Sequence, residues 1–266
     1  MISRLFIVVS GLPGMKKLLW RALYGYLAEL GHTDGWRFMN YGFAKAEGDC
    51  IPLMPDDEAY RHWIQLYDHV ADNVDLEGKE VVEVGCGRGG GASFIKRYRH
   101  PKHMMGVDLS ANAVELCRKT YSIDGLEFRV GDAEDLPLGE SSMDAVINVE
   151  SSHCYPSFAT FVAEVRRVLR PGGHFLYADF RNKDNVSAWR EDLRSSGLTL
   201  ISENDITTNV LLALDRDNDR KGILIQSFVP KLFQPSFCDF AGMRGSSVYE
   251  GFRTGSLVYR SFILRK

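Results

Sequence analysis

The chain has 266 residues, of which 45% are hydrophobic and 25% charged, and its formal net charge is −3. This length and composition are typical of one large soluble domain or of one domain with an attached cap. The weakly acidic charge excludes nucleic acid as a bulk partner. Five scattered cysteines without a C-x-x-C pair exclude a zinc knuckle and predict reduced thiols in a cytoplasmic protein.

The first 30 residues combine a short apolar run, LFIVVSGL, with a helical pattern that follows it. The run is far shorter than the roughly 20 residues that a transmembrane helix requires. No small-residue cleavage site follows, so a retained cap is favoured over a signal peptide. Four basic residues beside leucine and tryptophan leave open a weak, peripheral contact of this helix with a membrane, although packing on the domain is preferred.

Residues 1–78 lack strand alternation and are predicted to form an N-terminal helical cap. The clearest helix in it is DDEAYRHWIQLYDHVADNV, because acids occupy the first turn and apolar residues recur at helical spacing.

From residue 79, short β-branched runs alternate with helical segments. The predicted strands are EVVEVG, HMMGVDLS, LEFRVGDAEDLP, MDAVINVES and HFLYADF. Helices are predicted at GGASFIKRYR, at ANAVELCRKTY with Ser110 as its cap, and at SFATFVAEVRRVLRPGG, which ends at residues 171–173. This alternation predicts an α/β fold with a doubly wound, mostly parallel sheet, whose ligands bind beyond the carboxyl ends of the strands.

Two further strands are predicted in the C-terminal third, at LTLISENDI and SLVYRSFILRK, and they bring the sheet to seven strands. Between them, NVLLALDRDNDRKGILIQSFV predicts a helix, and we expect a helical lid at about residues 206–245. Residues 79–266 are therefore predicted to form the main domain.

Gly85, Gly87 and Gly90 fit the pattern G-x-G-x-x-G, which is typical of dinucleotide sites. Glu83, two residues ahead of the first glycine, would repel the phosphates of such a cofactor. S-adenosylmethionine has no phosphates and carries a sulfonium and an ammonium group. Glu83 therefore favours S-adenosylmethionine over NAD.

Two more carboxylates end the next two predicted strands. Asp108, 23 residues after Gly85, suits hydrogen bonds to both ribose hydroxyls. Asp132 can accept from the exocyclic amine of adenine, while the backbone of Ala133 meets the ring edge. Each acid alone could simply cap a helix, but three acids behind one glycine loop predict an S-adenosylmethionine site.

The stretches VVEVGCGRGGG, GVDLS, GDAEDLPLGESSMDAVINVESSHCYP and EVRRVLRPGG resemble the successive motifs of class I S-adenosylmethionine-dependent methyltransferases. They resemble in particular mycobacterial enzymes that O-methylate phthiotriol and phenolphthiotriol dimycocerosates, and related glycolipid and fatty-acid O-methyltransferases. The resemblance covers residues 36–266. It implies a Rossmann-like methyltransferase fold, S-adenosylmethionine as cofactor with S-adenosylhomocysteine as product, and cofactor contacts at Gly85, Gly87, Asp108, Leu109, Asp132, Ala133 and Asn148, to which we add Glu134.

The segment NYGFA resembles the N-x-G-Y-W segment with which many such enzymes cover their cofactor. It makes Tyr41 and Phe43 candidates for the lid or the acceptor site. Because Phe43 replaces the usual tyrosine, this position cannot supply a hydroxyl contact.

His153 follows the fourth predicted strand and Asp179 ends the fifth, 26 residues later. Neighbouring strands would bring the two side chains together, so that the carboxylate orients the imidazole as a general base for a hydroxyl acceptor. The pair resembles that of the sugar O-methyltransferase of rebeccamycin biosynthesis. The alternative is a loop histidine bonded to backbone, with Asp179 capping a turn.

These features predict O-methylation of a hydroxyl on a small hydrophobic, lipid- or polyketide-like or glycolipid metabolite. A fatty-acid carboxyl acceptor is the main alternative, and C-methylation is a weaker one. A catalytically silent binding protein is disfavoured by the complete set of site residues, and an oxidoreductase is disfavoured by Glu83. No metal is expected, since His100 and His103 in HPKH are typical of a solvated loop. A homodimer is left open.

Overall fold

The computed structural model describes residues 36–47, 51–231 and 234–266. The predicted N-terminal helix and its membrane contact lie outside these residues, as does Cys50. None of the described helices is long and apolar enough to cross a membrane.

Seven strands form one sheet in the order β3-β2-β1-β4-β5-β7-β6. The strand β7 runs antiparallel to both of its neighbours, β5 and β6, and all other neighbouring pairs are parallel. The predicted fold class, a mostly parallel seven-stranded sheet, is confirmed. The strands are β1 (Glu80–Val84), β2 (His103–Asp108), β3 (Leu126–Val130), β4 (Met143–Val149), β5 (Leu169–Asn182), β6 (Thr199–Asp205) and β7 (Leu257–Arg265).

Helices cover both faces of the sheet. They are α1 (Arg61–Ala71), α2 (Gly90–Arg99), α3 (Ala111–Thr120), α4 (Phe158–Val168), α5 (Val186–Ser195), α6 (Thr207–Phe228), α7 (Gln234–Phe240) and α8 (Ser247–Thr254). Short 3₁₀ turns lie at Pro55–Tyr60, Ser152–Cys154 and Lys183–Asn185.

Alternate residues of β1 point to the two faces, as the two-residue period of a strand requires. Val81 joins the core formed with α1, α2, α3, α6 and α8. Val82 and Val84 join the core formed with α4 and α5. Both faces of the central strand are therefore sealed, and ligands have access only at the strand ends.

The predicted cap of α3 is confirmed, since Ser110 Oγ accepts a hydrogen bond from the Ala113 N–H. The predicted end of α4 is wrong. The helix stops at Val168, and β5 begins at Leu169 because the chain turns directly into the sheet. Gly172 and Gly173 exchange backbone hydrogen bonds with Lys266 there, so the Pro-Gly-Gly stretch forms the start of a strand.

Residues 51–78 pack onto the sheet through α1, whose Trp63, Ile64 and Tyr67 join the core on that side. The division of the chain at residue 78 stays a prediction. In the C-terminal third, α6, α7 and α8 lie between β6 and β7 in the chain. The helices α6 and α7 fall within the range predicted for the lid, and their role as a lid stays a prediction.

Candidate active site

A cleft that opens to solvent lies at the carboxyl ends of β1, β2 and β4. Its walls come from the glycine loop, from the turns after β2, β3 and β4, and from residues 37–40. Most predicted cofactor residues line it: Gly85, Gly87, Asp108, Leu109, Asp132, Ala133 and Glu134. Glu83 and Asn148 are not in its lining.

The glycine loop has backbone conformations with positive φ, which residues with a side chain rarely adopt. Gly85 has φ +74°, and a Cβ placed there would lie 2.4 Å from Ser151 Oγ. Gly87 has φ +52°, and its Cβ would meet only Met39 Sδ, at 3.6 Å. Gly85 therefore lets the loop pack on the turn after β4, whereas Gly87 keeps one side open for close approach of a ligand.

Asp108 lies at the end of β2 with both carboxylate oxygens in use. Oδ2 accepts the Gly87 N–H at 2.8 Å, and Oδ1 accepts the Ser110 N–H at 2.9 Å. Burial raises the pKa of Asp108, although these two backbone donors oppose the shift. A carboxylate oxygen can accept more than one hydrogen bond, so Asp108 can also receive hydroxyl groups from a ligand.

Two acids of the turn after β3 accept hydrogen bonds from backbone N–H groups and so stabilise the turn. Asp132 Oδ1 accepts the Glu134 N–H at 3.1 Å, and Glu134 Oε1 accepts the Ser157 N–H at 2.5 Å. Ala133 lies between the two acids and is 9% exposed. The predicted adenine contacts are thus held at the cleft wall by hydrogen bonds that the sequence analysis did not anticipate.

Glu83 lies beneath the cleft, with only 1% of its surface exposed. The Tyr67 hydroxyl donates to its Oε1 at 2.6 Å, while Oε2 has no partner among the described residues. Burial raises the pKa of Glu83 to about 8, so without a ligand the side chain is largely protonated near neutrality. The sequence argument assumed that Glu83 is negatively charged. Glu83 carries that charge near neutral pH only when a cation lies nearby.

Asn148 is fully buried at the end of β4, behind the lining of the cleft. Its Nδ2 lies within hydrogen-bonding distance of Val84 O, Ser151 Oγ and the Tyr155 hydroxyl, at 2.9, 2.8 and 3.1 Å. Ser151 and Tyr155 do line the cleft. Asn148 therefore supports two lining residues.

Tyr41 and Phe43 have different surroundings. The Tyr41 N–H donates to Glu150 Oε2 at 2.8 Å, and Tyr41 lines a second cavity beside the cleft. Phe43 is buried and stacks on His69, with ring centroids 4.5 Å apart. The structure thus gives Phe43 no contact with either cavity.

Glu150 was not selected from the sequence, although it directly follows β4, the strand whose end was expected to border the site. It lines the cleft and adopts a left-handed backbone with φ +52°. The Tyr259 hydroxyl donates to the same Oε2 that accepts the Tyr41 N–H, at 3.0 Å. Burial raises the pKa of Glu150 to about 8. Glu150 therefore attaches the segment that covers the cleft to the end of the sheet.

The structure brings His153 and Asp179 together, as predicted. His153 Nδ1 lies 2.9 Å from Asp179 Oδ1, and the His153 N–H donates to Oδ2 at 2.9 Å. Ser152 Oγ also donates to Oδ2, at 2.5 Å, and Arg181 forms an ion pair with it at 3.1 Å. The flanking residues Ser151 and Cys154 line the cleft, although His153 does not.

The electrostatic surroundings of this pair favour the ionised carboxylate of Asp179 and the protonated imidazole of His153. Burial opposes ionisation of Asp179, but the charges of Arg181 and His153 outweigh it and hold the pKa of Asp179 well below its usual range. Burial likewise acts to lower the pKa of His153. The adjoining Cys154 side chain and the Asp179 carboxylate reverse this effect and raise the pKa of His153 to about 10. In the protein without ligands, His153 is therefore largely protonated near neutral pH.

A second, much smaller cavity adjoins the cleft and shares the wall formed by Phe38, Met39 and Asn40. The other side is formed by α6 and by the end of α7. Its lining is mostly apolar and aromatic, and Lys221 is the one charged residue among the described residues that form it.

The residues of the cleft fit S-adenosylmethionine. Asp108 can accept from ribose hydroxyls, Gly87 leaves room for close approach, and Arg37 in the lining can meet a carboxylate. The unpartnered Oε2 of Glu83 lies beneath the lining and would favour a cation in the cleft through its charge. Within residues 36–47, 51–231 and 234–266, no cluster of three or more His, Cys, Asp or Glu could hold a metal ion.

Comparisons with known proteins show the family to which the chain belongs. A family model described as "Methyltransferase domain" matches residues 82–177. The chain is 38% identical to phthiotriol/phenolphthiotriol dimycocerosates methyltransferase of Mycobacterium leprae (strain TN), over 98% of this chain and 97% of that protein. It is also 38% identical to fatty-acid O-methyltransferase of Mycolicibacterium smegmatis, over 92% and 89%. A crystal structure of a putative sarcosine dimethylglycine methyltransferase from Galdieria sulphuraria aligns with TM-score 0.72 and 16% identity, over 91% of this chain and 97% of that one, and shows a shared fold.

Proposed function

This chain belongs to the S-adenosylmethionine-dependent methyltransferases, and we propose that it methylates a hydroxyl group on a hydrophobic, lipid- or polyketide-like or glycolipid metabolite. The observation that carries the hydroxyl assignment is the contact of His153 with Asp179 beside the cleft. A hydroxyl must lose a proton when it is methylated, and an oriented imidazole can accept it.

The cofactor supplies an electrophilic methyl group on a sulfonium. Asp108, Asp132 and the glycine loop hold it in the cleft, and Glu83 favours its positive charge from below. The product of the cofactor is S-adenosylhomocysteine, and the reaction needs no metal.

In this proposal Asp179 fixes the orientation of His153 by occupying Nδ1, so Nε2 is the nitrogen that takes the proton. Arg181 and Ser152 keep Asp179 ionised and in place. A pKa near 10 would leave little neutral imidazole near pH 7. A second positive charge in the adjacent cleft disfavours imidazolium, so the pKa of His153 falls when the cofactor binds and the base becomes available.

A second candidate is methylation of a fatty-acid carboxyl group. The fatty-acid O-methyltransferase of M. smegmatis is as similar in sequence as the dimycocerosates enzyme of M. leprae. A carboxylate is already ionised near pH 7 and needs no base, so a protonated His153 would not prevent this reaction.

One experiment tests the proposal and separates the candidates. The protein is incubated with methyl-labelled S-adenosylmethionine and a lipid extract, and the labelled lipid is treated with alkali. A methyl ether retains the label and supports the hydroxyl assignment. Release of the label as methanol identifies an ester and supports the carboxyl candidate, and absence of labelled lipid contradicts both.

A further inference from the structure

Glu150 takes part in no step of the proposed chemistry, although it lies at the wall of the cofactor cleft. It directly follows β4, lines the cleft and is partly exposed. Its backbone has φ +52°, which a glutamate rarely adopts, and such conformations are concentrated at functional sites. The position and the backbone together indicate a functional role for this carboxyl group at the cleft.

One oxygen of Glu150 holds the cover segment, which we define as residues 37–43. Oε2 accepts the Tyr41 N–H at 2.8 Å and the Tyr259 hydroxyl at 3.0 Å, so it joins the segment to β7. The first four residues of the cover segment line the cleft. The bond between Glu150 and the Tyr41 N–H therefore holds a wall of the cofactor cleft against the sheet.

The strength of this bond depends on the charge of Glu150, because a carboxylate accepts stronger hydrogen bonds than a carboxylic acid does. Burial raises the pKa of Glu150 to about 8, against the opposing effect of the Tyr41 N–H, so the carboxyl is largely neutral near pH 7. Titratable groups act on it from the cover segment, α1, the turn after β4, β5, α6 and β7: Tyr41, Tyr67, His153, Asp179, Lys221 and Tyr259. The charges of His153 and Asp179 shift the pKa of Glu150 in opposite directions. A further positive charge in the cleft would lower this pKa and ionise Glu150.

The order of the strands brings the cationic part of the cofactor to the same end of the cleft. In the proposed binding mode, adenine lies at Asp132 after β3 and the ribose lies at Asp108 at the end of β2. The order β3-β2-β1-β4 leaves the ends of β1 and β4 for the sulfonium, and Glu150 directly follows β4. The other three carboxyl groups of the described lining lie at the ends of β2 and β3. Glu150 is therefore the lining carboxyl that responds most to the charge of the sulfonium.

We propose that Glu150 is a positioning residue that holds the cover segment more firmly before the cofactor gives up its methyl group than afterwards. S-adenosylmethionine and S-adenosylhomocysteine differ by that methyl group and its positive charge. With the cation in the cleft, Glu150 releases its proton to solvent and accepts a stronger hydrogen bond from the Tyr41 N–H. With the product, the proton returns and the bond weakens, which favours release. The inference holds for any methyl acceptor, so it does not depend on the hydroxyl assignment.

Amide hydrogen exchange, measured by NMR on the full chain without an acceptor, tests this role. At pH 7 the Tyr41 N–H should exchange about tenfold more slowly in the saturated complex with S-adenosylmethionine than in that with S-adenosylhomocysteine. The Phe43 N–H donates to His62 O on α1 at 2.8 Å, and it is the internal reference that should change little. In the protein without ligands, protection of Tyr41 beyond the intrinsic exchange rate should rise as the pH passes through about 8, where Glu150 ionises.

Two variants separate the charge of Glu150 from its reach. Glu150→Gln keeps the length of the side chain and an acceptor oxygen but cannot ionise, so the two forms of the cofactor should protect Tyr41 equally. Glu47→Gln, at an exposed acid just after the cover segment, is the matched control and should retain the difference. Glu150→Asp keeps the charge on a shorter side chain, and aspartate tolerates a positive φ well. It should lose the protection of Tyr41 while calorimetry still shows tighter binding of S-adenosylmethionine, and it replaces Glu150→Gln if that variant does not fold.

Equal protection of Tyr41 by the two forms of the cofactor in the wild type would overturn the inference, because His153 or Glu83 alone would then respond to the sulfonium. A difference that persists in Glu150→Gln, or equal slowing of Tyr41 and Phe43, would also overturn it. These measurements need no turnover. If Tyr41 responds as expected but no lipid is methylated, the role of Glu150 stands and the proposed function fails, and the opposite pair of results leaves the function standing without this role.

Discussion

The Tyr67 hydroxyl donates a hydrogen bond to Glu83 across 2.6 Å, beneath the floor of the cofactor cleft. It joins α1 to β1 at the residue that the sequence argument used to choose between cofactors. Because Glu83 is buried and its pKa is raised to about 8, its charge depends on what occupies the cleft.

Binding of S-adenosylmethionine should therefore release a proton from Glu83. Near pH 7 the free protein holds that proton, and a nearby cation lowers the pKa and expels it. Calorimetry in buffers of different ionisation enthalpy measures the release. In Glu83→Gln the release should fall to the part that comes from His153 and Glu150, and the affinity should fall. A wild type whose binding heat is the same in every buffer contradicts this role.

Asp108→Ala should weaken S-adenosylhomocysteine binding by about 1.5–3 kcal/mol, because a charged acceptor is lost while its ligand hydroxyls remain. Asp184→Ala, at an exposed residue of the Lys183–Asn185 turn, is the control and should leave the affinity unchanged. Calorimetric titration gives both numbers. Equal affinities for wild type and Asp108→Ala would mean that this carboxylate serves only Gly87 and Ser110.

Gly85→Ala and Gly172→Ala form a matched pair. Both glycines have positive φ, +74° and +82°, but a Cβ at Gly85 would collide with Ser151 and Tyr155, whereas nothing lies within 4 Å at Gly172. Gly172→Ala should cost roughly 1 kcal/mol of unfolding free energy from backbone strain alone. Gly85→Ala should cost more and should also weaken cofactor binding. Equal losses from both variants would show that crowding at the loop is unimportant.

The rate of methyl transfer to a hydroxyl should rise with pH, because only neutral His153 can accept a proton. Cofactor binding lowers the pKa of His153 from its raised value in the free protein, so the midpoint of the kcat profile should lie below about 10. Asp179→Asn removes the charge that favours imidazolium, and the midpoint should move to lower pH even though kcat falls. NMR titration of the histidine ring checks the same shift. A carboxyl acceptor instead predicts a rate that is nearly flat from about pH 6 to 8.

The sheet and the cofactor cleft could be predicted from the sequence because their determinants are local. The segments predicted as strands form strands in the structure. The acids at their ends lie at one edge of the sheet because the carboxyl ends of parallel strands lie at the same edge. His153 and Asp179 meet because β4 and β5 are neighbours, and that adjacency follows from the fold class. Glu150, one residue beyond β4, was missed because its partner, the backbone of Tyr41, is 109 residues away.

The second cavity could not be predicted. It depends on the packing of α6 against Trp63, which brings Lys221 beside a residue 158 positions earlier in the chain. Neither residue lies in a recognisable motif. Phe43 is the opposite case. A motif predicted that it lies at the site, but in the structure its ring stacks on His69.

The most direct test of the central claim is the single-turnover rate of His153→Ala on the identified acceptor. We expect the rate to fall by roughly 10²–10⁴-fold while S-adenosylhomocysteine affinity stays the same, because the base is lost and the cofactor residues remain. His174→Ala, on the half of β5 away from the site, should retain the wild-type rate. A full rate in His153→Ala would contradict general base catalysis by this residue and would favour a carboxyl acceptor.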